Sequence, residues 1–277
     1  MIYSSVYLSF SGISMIYVSC VIQGIQPDLK LFLVIFLVTF SVYNVNRMTD
    51  EKEDSISHSE RYDFTQKHGK LLLSSALLGY ILAILLAMSK GVETTLVSLI
   101  PLFCGILYSV KWIPKRFKYR RLKEIPFAKN IIIAFAWAST TTFLPCTMSN
   151  VVIIRALIIY VFFFVSVFVN CVVFDMRDTE GDAISGVKTI PAVIGLEKTK
   201  KFLIRLNLLV GLLIFVLTLR NLLPIVAYWL CFATIYTHLY VVSFDKEGNV
   251  GFLCDVIADG QPMATGILVY TGNKLIG

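Results

Sequence analysis

Nine stretches of about 20 apolar residues follow one another along this chain, at roughly 3–25, 29–48, 70–88, 92–110, 126–146, 151–173, 202–219, 222–242 and 250–272. Each has the length a helix needs to cross the hydrocarbon of a bilayer, and a soluble domain has too little interior to hide them all. The remaining residues agree. Of 277 residues 57% are hydrophobic and 16% charged, where a soluble domain carries about a quarter charged. The expected fold is an all-α integral membrane protein of about nine transmembrane helices, bundled around a lipid-accessible central cavity. The last span is the most dilute, because Asp255, Asp259 and several glycines interrupt it.

Basic residues set the orientation. On the face that holds the N-terminus and the loops after even-numbered spans lie 20 of the 25 Lys and Arg residues. By the positive-inside rule the N-terminus is expected in the cytoplasm and the C-terminus outside, in a multi-pass protein of the cell membrane. Topology thus accounts for the net charge of +7, and no nucleic-acid partner is implied. No Lys or Arg precedes Lys30, so a cleavable secretory leader is not expected. The six cysteines (Cys20, Cys104, Cys146, Cys171, Cys231 and Cys254) all fall in apolar spans, with no C-x-x-C pair. They read as buried small hydrophobes rather than disulfides or zinc ligands.

Acidic residues are scarce, and where they collect is informative. Of the 18, six lie between Asp50 and Asp63 and four between Asp175 and Asp182. Both runs follow an even-numbered span, so both belong to the cytoplasmic face. If span two continues as a helix, Asn46, Asp50 and Asp54 stack at intervals of four on one face; Asp175, Asp178 and Asp182 make the i, i+3, i+7 equivalent. Like charges so spaced repel, and a hard divalent cation bound through oxygen relieves that repulsion. The placement of the runs also suggests an internal repeat. The reading is one domain over 1–277, with two pseudo-repeats at about 1–125 and 126–245 and a ninth helix after them.

These motifs resemble those of the UbiA superfamily of intramembrane prenyltransferases. Asn46, Asp50 and Asp54 match its Asn-x-x-x-Asp-x-x-x-Asp signature. The run from Asp178 through Asp182, Gly186, Lys188 and Thr189 to Pro191 matches Asp-x-x-x-Asp followed by Gly-x-Lys-Thr-x-Pro. Tyr108-Ser109 at the end of span four and Asn130 in span five add to the likeness. One position departs: Arg47 stands where the family usually has an aspartate after the motif Asn.

The resemblance implies a Mg²⁺-dependent enzyme, with Mn²⁺ as a substitute, that transfers a prenyl group from a prenyl diphosphate to an acceptor inside the membrane. On that likeness Asp50, Asp54, Asp178 and Asp182 hold the metal, and Asn46 orients it or contacts diphosphate. Arg61, Lys111, Lys188 and Asn130 bind the diphosphate, and Arg47 is a further candidate. Asp175, Lys188 and Tyr108 stand closest to the chemistry. The acceptor expected first is an aromatic quinone precursor, with a glycerol phosphate lipid as the alternative. Membrane lipids surround the chain, and no obligate protein partner is inferred. Loop histidines His58 and His68 are expected to be solvated. Asn170 in span six is either a site residue or a partner for a neighbouring helix. An ion-coupled transporter is the competing class, but its sites lie near the bilayer midplane on broken helices. A CDP-alcohol phosphatidyltransferase would need Asp-Gly-x-x-Ala-Arg, which is absent.

Overall fold

The structure, a computed structural model, describes residues 4–49, 59–109, 114, 116, 122, 125, 127–149, 152–179, 181, 188–245 and 248–276. Each of the nine apolar stretches carries a helix. In chain order these are α1 (Val6–Gln23), α2 (Leu29–Thr49), α3 (Ser59–Met88), α4 (Val92–Ser109), α5 (Ala128–Cys146) and α6 (Ile153–Arg177). A five-residue helix, α7 (Ile190–Ile194), precedes α8 (Leu196–Leu219) and α9 (Tyr228–Val242). The last span opens with one α-turn, α10 (Val250–Phe252), passes through a π-helical segment (Leu253–Ala258), and ends in α11 (Gln261–Ile276). Among the described residues, seven helical stretches are long and apolar enough to cross a membrane.

Two expected spans fall short of that measure for physical reasons. The apolar part of α4, Val92–Tyr108, is short. Helix α5 carries Ser139, Thr140, Thr141 and Thr142, all buried, which lowers its hydropathy and packs that half of it against protein. That central place shows in the packing. One buried cluster joins α1, α2, α3 and α5; the other joins α1, α5 and α6 to α8, α9 and the last span. Helices α1 and α5 belong to both and form the seam. Side-chain hydrogen bonds hold that seam where hydrophobicity cannot drive helix association. Gln23 Nε2 donates to Thr142 O at 3.2 Å, and Tyr43 of α2 stacks on Trp137 of α5 with centroids 5.5 Å apart. The leucine-rich outer stripes of α3 (Leu71, Leu78, Leu82, Leu85) and α8 (Leu209, Leu212, Leu219) face outward, as lipid-facing surface must.

Helix α3 begins 11 residues before the expected span. Its first turns are polar, and hydropathy cannot see a helix that has left the bilayer. Thirty residues make about 45 Å of helix against about 30 Å of hydrocarbon. His68 therefore sits in helix α3 rather than a loop, its ring 4.9 Å from that of Phe64 one turn earlier.

Ion pairs assign the two faces. On one, Lys90 before α4 donates to Asp28, whose carboxylate also caps α2 through the Lys30 and Leu31 amides at 2.7 and 3.2 Å. Burial works to raise the Asp28 carboxyl, but Lys90 and the two amides outweigh it and hold it below the ordinary range. Its contribution to stability is therefore complete above about pH 3.9 and lost only as pH falls through the lowered value. The opposite face collects the ends of α2, α4, α6 and α9 and the starts of α3, α5, α8 and the last span. Asn46 of the first acidic motif and Asp175 and Asp178 of the second lie at it.

Candidate active site

Helix α6 stops inside the second motif. Sequence spacing predicts one ladder of Asp175, Asp178 and Asp182; the structure ends the helix at Arg177 and makes Asp178 its C-cap. Asp178 leaves helical geometry, and Thr179, helical again, back-bonds through Oγ1 to the carbonyls of Asp175 and Met176 at 3.0 and 2.8 Å. The two described carboxylates part company.

Asp175 turns into the bundle and is 1% exposed. It is gripped from α5, where Lys129 Nζ donates to Oδ1 at 3.0 Å and Asn130 Nδ2 to Oδ2 at 2.7 Å. Asn130 is itself buried, and its Oδ1 has no hydrogen-bond partner among the described residues. A buried carboxylate needs both a counter-charge and donors, and α5 supplies them from consecutive residues. Replacing Lys129 with Met should therefore cost about 3 kcal/mol of stability. Thermal unfolding in detergent would show it, with Lys129→Met/Asp175→Leu recovering most of the loss; an unchanged midpoint in Lys129→Met would mean the pair does not hold α5 to α6.

Asp178 meets a different cation. Arg177 Nε and Nη2 donate to its two oxygens at 2.7 and 3.1 Å, while Nη1 donates to Asp255 at 2.8 Å. Asp255 lies on the π-helical segment of the last span. There the widened turn leaves carbonyls to be satisfied from outside, and three helices reach in. Tyr7 and Ser11 of α1, Tyr236 of α9 and Asn170 of α6 donate to the carbonyls of Val256, Asp259, Ile257 and Ala258, at 2.8 to 3.0 Å. Tyr240 donates in turn to Asn170, so Asn170 is a structural peg. At Gly260 a Cβ would meet Tyr7 Oη at 2.4 Å and the Val256 carbonyl at 2.5 Å, so only glycine lets the chain pass.

The other expected residues distribute as follows. Asn46 is half-buried in the last turns of α2, and Arg47 beside it is 6% exposed. Tyr108 is buried in the last turn of α4, next to Leu107. Lys188 is exposed and leads into α7, where Pro191 fits the first turn and Gly195, at φ 82°, makes the turn into α8. The Lys188-Thr-x-Pro191 part of the signature is thus also a piece of chain architecture. Asp50, Asp54, Asp182 and Lys111 lie outside the described residues, as does the side chain of Arg61. Among the described residues no group of three His, Cys, Asp or Glu side chains is placed to hold a metal. The donor set nevertheless suits a hard cation: it is all oxygen, and Asp178 already engages a positive charge on both oxygens. Sequence reasoning passed over Lys129, Arg177 and Asp255 as site residues.

Beside this face opens a cavity of about 630 Å³ between α4 and α5, lined by apolar residues from Leu107 and Ile131 inward to Phe103, Phe135, Leu96 and Phe164.

The sequence model of the UbiA prenyltransferase family matches residues 11–249. Digeranylgeranylglyceryl phosphate synthase of Pyrococcus abyssi is 30% identical over 180 residues, covering 62% of this chain and 60% of that protein. Its namesake in Pyrococcus horikoshii is 26% identical over 184 residues, covering 64% and 61%. The chain thus spans about three-fifths of the length of these curated relatives. Among solved structures, a UbiA homolog from Archaeoglobus fulgidus bound to GPP and Mg²⁺ superposes with a TM-score of 0.71 at 17% identity, covering 100% of this chain and 99% of that one. A digeranylgeranylglyceryl phosphate synthase structure gives 0.62 at 20% identity, covering 98% of both. At these identities the likeness is one of fold.

Proposed function

The chain belongs to the UbiA prenyltransferase family, and we propose that it transfers a geranylgeranyl-type group from a prenyl diphosphate to the hydroxyl of a glycerol phosphate lipid within the membrane. The single observation that carries the choice of acceptor is the similarity to the two Pyrococcus synthases. The aromatic acceptor expected first from sequence has no comparable support.

In the proposed site Asp178, with Asp50, Asp54 and Asp182, would hold Mg²⁺, and Asn46 would supply a further oxygen. When bound, Mg²⁺ would draw charge from the leaving diphosphate. Lys188, Arg61 and Lys111 add fixed positive charge where that anion develops. The donor's C1–O bond breaks, diphosphate leaves with the electron pair, and the acceptor oxygen bonds to C1 as its hydroxyl proton is released. Tyr108, next in sequence to Leu107 of the apolar cavity, would shelter an allylic cation with its ring, and the cavity would seat an isoprenoid chain. Asp175 acts as a positioning residue, fixing Lys129 and Asn130 on α5.

The test is a competition for product. Purified protein is incubated with labelled geranylgeranyl diphosphate, Mg²⁺, geranylgeranylglyceryl phosphate and a panel of aromatic quinone precursors, and products are identified by mass. The expected product is the doubly prenylated glycerol phosphate; transfer to an aromatic ring alone would overturn the acceptor assignment.

A further inference from the structure

Arg177 sits where the proposed site needs Asp178 to be available. Its fork engages both Asp178 oxygens, and Phe174 backs it with the ring centroid 4.7 Å from the guanidinium carbon. A carboxylate held this way has its charge already shared with the guanidinium, so a metal must compete for it. The Arg177 side chain is 10% exposed, and a nearly buried cation cannot be stranded without a large penalty. It therefore needs a second carboxylate to stay on, and it already has one.

That second carboxylate is Asp255, 2.8 Å from Nη1 and carried by a different element. The four carbonyls that follow it are tied to α1, α6 and α9. Asp255 is fixed to the bundle, while Asp178 is the C-cap of α6, outside the helical geometry on either side of it.

We infer that Arg177 is a resident competitor for Asp178, and that Asp255 is the positioning residue that retains the guanidinium when Asp178 turns to a divalent cation. The inference rests on Asp178 being a metal ligand, as proposed above. With no metal present, the guanidinium neutralises the motif carboxylate. With metal present, Asp255 keeps the guanidinium at the edge of the site rather than between ligand and cation. Metal affinity is then set by how the guanidinium is shared between the two aspartates.

The test is Mn²⁺ binding to the metal-free full chain in detergent, followed by loss of the free-ion electron paramagnetic resonance signal. Arg177→Gln should bind about three- to tenfold more tightly, the scale of a part-exposed charged hydrogen bond. Asp255→Asn should bind more weakly by a similar factor, because the guanidinium then commits to Asp178. The double variant Arg177→Gln/Asp255→Asn should behave like Arg177→Gln alone, since a seat without an occupant has no effect. Arg177→Lys keeps the charge without the fork and should fall between wild type and Arg177→Gln. Unaltered binding in Arg177→Gln and Arg177→Lys would overturn the competition. A double variant weaker than Arg177→Gln would make Asp255 a metal ligand itself and overturn its positioning role. Asp178→Asn separates the two levels: if it leaves Mn²⁺ binding unchanged, the metal site has failed rather than the sharing of Arg177.

Discussion

Asp178→Asn should lower prenyl transfer by about 10²–10³-fold, the scale seen when one fixed electrostatic contact to a developing charge is removed. The substitution keeps the shape of the side chain and takes away its charge. Asp178 is 22% exposed and its packing is peripheral, so the folded bundle should survive. The cap geometry should survive too, because the Asp178 amide donates to the Phe174 carbonyl at 3.0 Å, a bond independent of the carboxylate. Loss of rate with an unchanged melting profile would place Asp178 in the chemistry. Full activity in the variant would mean that the second motif serves the fold alone. Asp175→Asn offers the contrast, because its effect should fall first on stability through the Lys129 pair.

The fold was legible for a simple reason: a bilayer demands apolar runs of fixed length, and the sequence displays them. What escaped were features that hydropathy does not encode. The polar first turns of α3, the break at Asp178 and the π-turns of the last span are not written in apolarity. Asp178 caps α6, and nothing in the spacing of the aspartates announces that. Spacing treated Asp175 and Asp178 as alike. Their difference comes from which helix packs alongside, with α5 bringing Lys129 and Asn130 to one and the last span bringing Asp255 to the other.

A signal for Asp255 did exist. An ionisable residue inside an otherwise apolar span is a functional hypothesis by default. Here it registered only as a weakness in the ninth span. Arg177 lay within the motif itself, between two aspartates, and pairs with the second of them, Asp178, while Asp175 takes Lys129. Lys129 looked like one more topology-setting lysine on a basic face; only contact with a carboxylate that is 1% exposed separates it from the others. Tyr43 against Trp137, and Asn170 under the π-segment, belong to packing that no linear pattern records.

Removal of the divalent cation should have the larger effect, because every motif carboxylate in the proposed site acts through it. Without a cation the clustered aspartates repel an incoming diphosphate, and the basic side chains left to oppose them include Arg177, already engaged by Asp178 and Asp255. Ionisation of the donor then has no sink for the departing charge. The direct measurement is release of diphosphate and formation of prenylated product from labelled geranylgeranyl diphosphate and geranylgeranylglyceryl phosphate, first with Mg²⁺, then after EDTA, then with Mg²⁺ restored. Product and diphosphate should appear together, cease with the chelator and return with the metal; undiminished transfer in EDTA would contradict a metal-dependent prenyl diphosphate site.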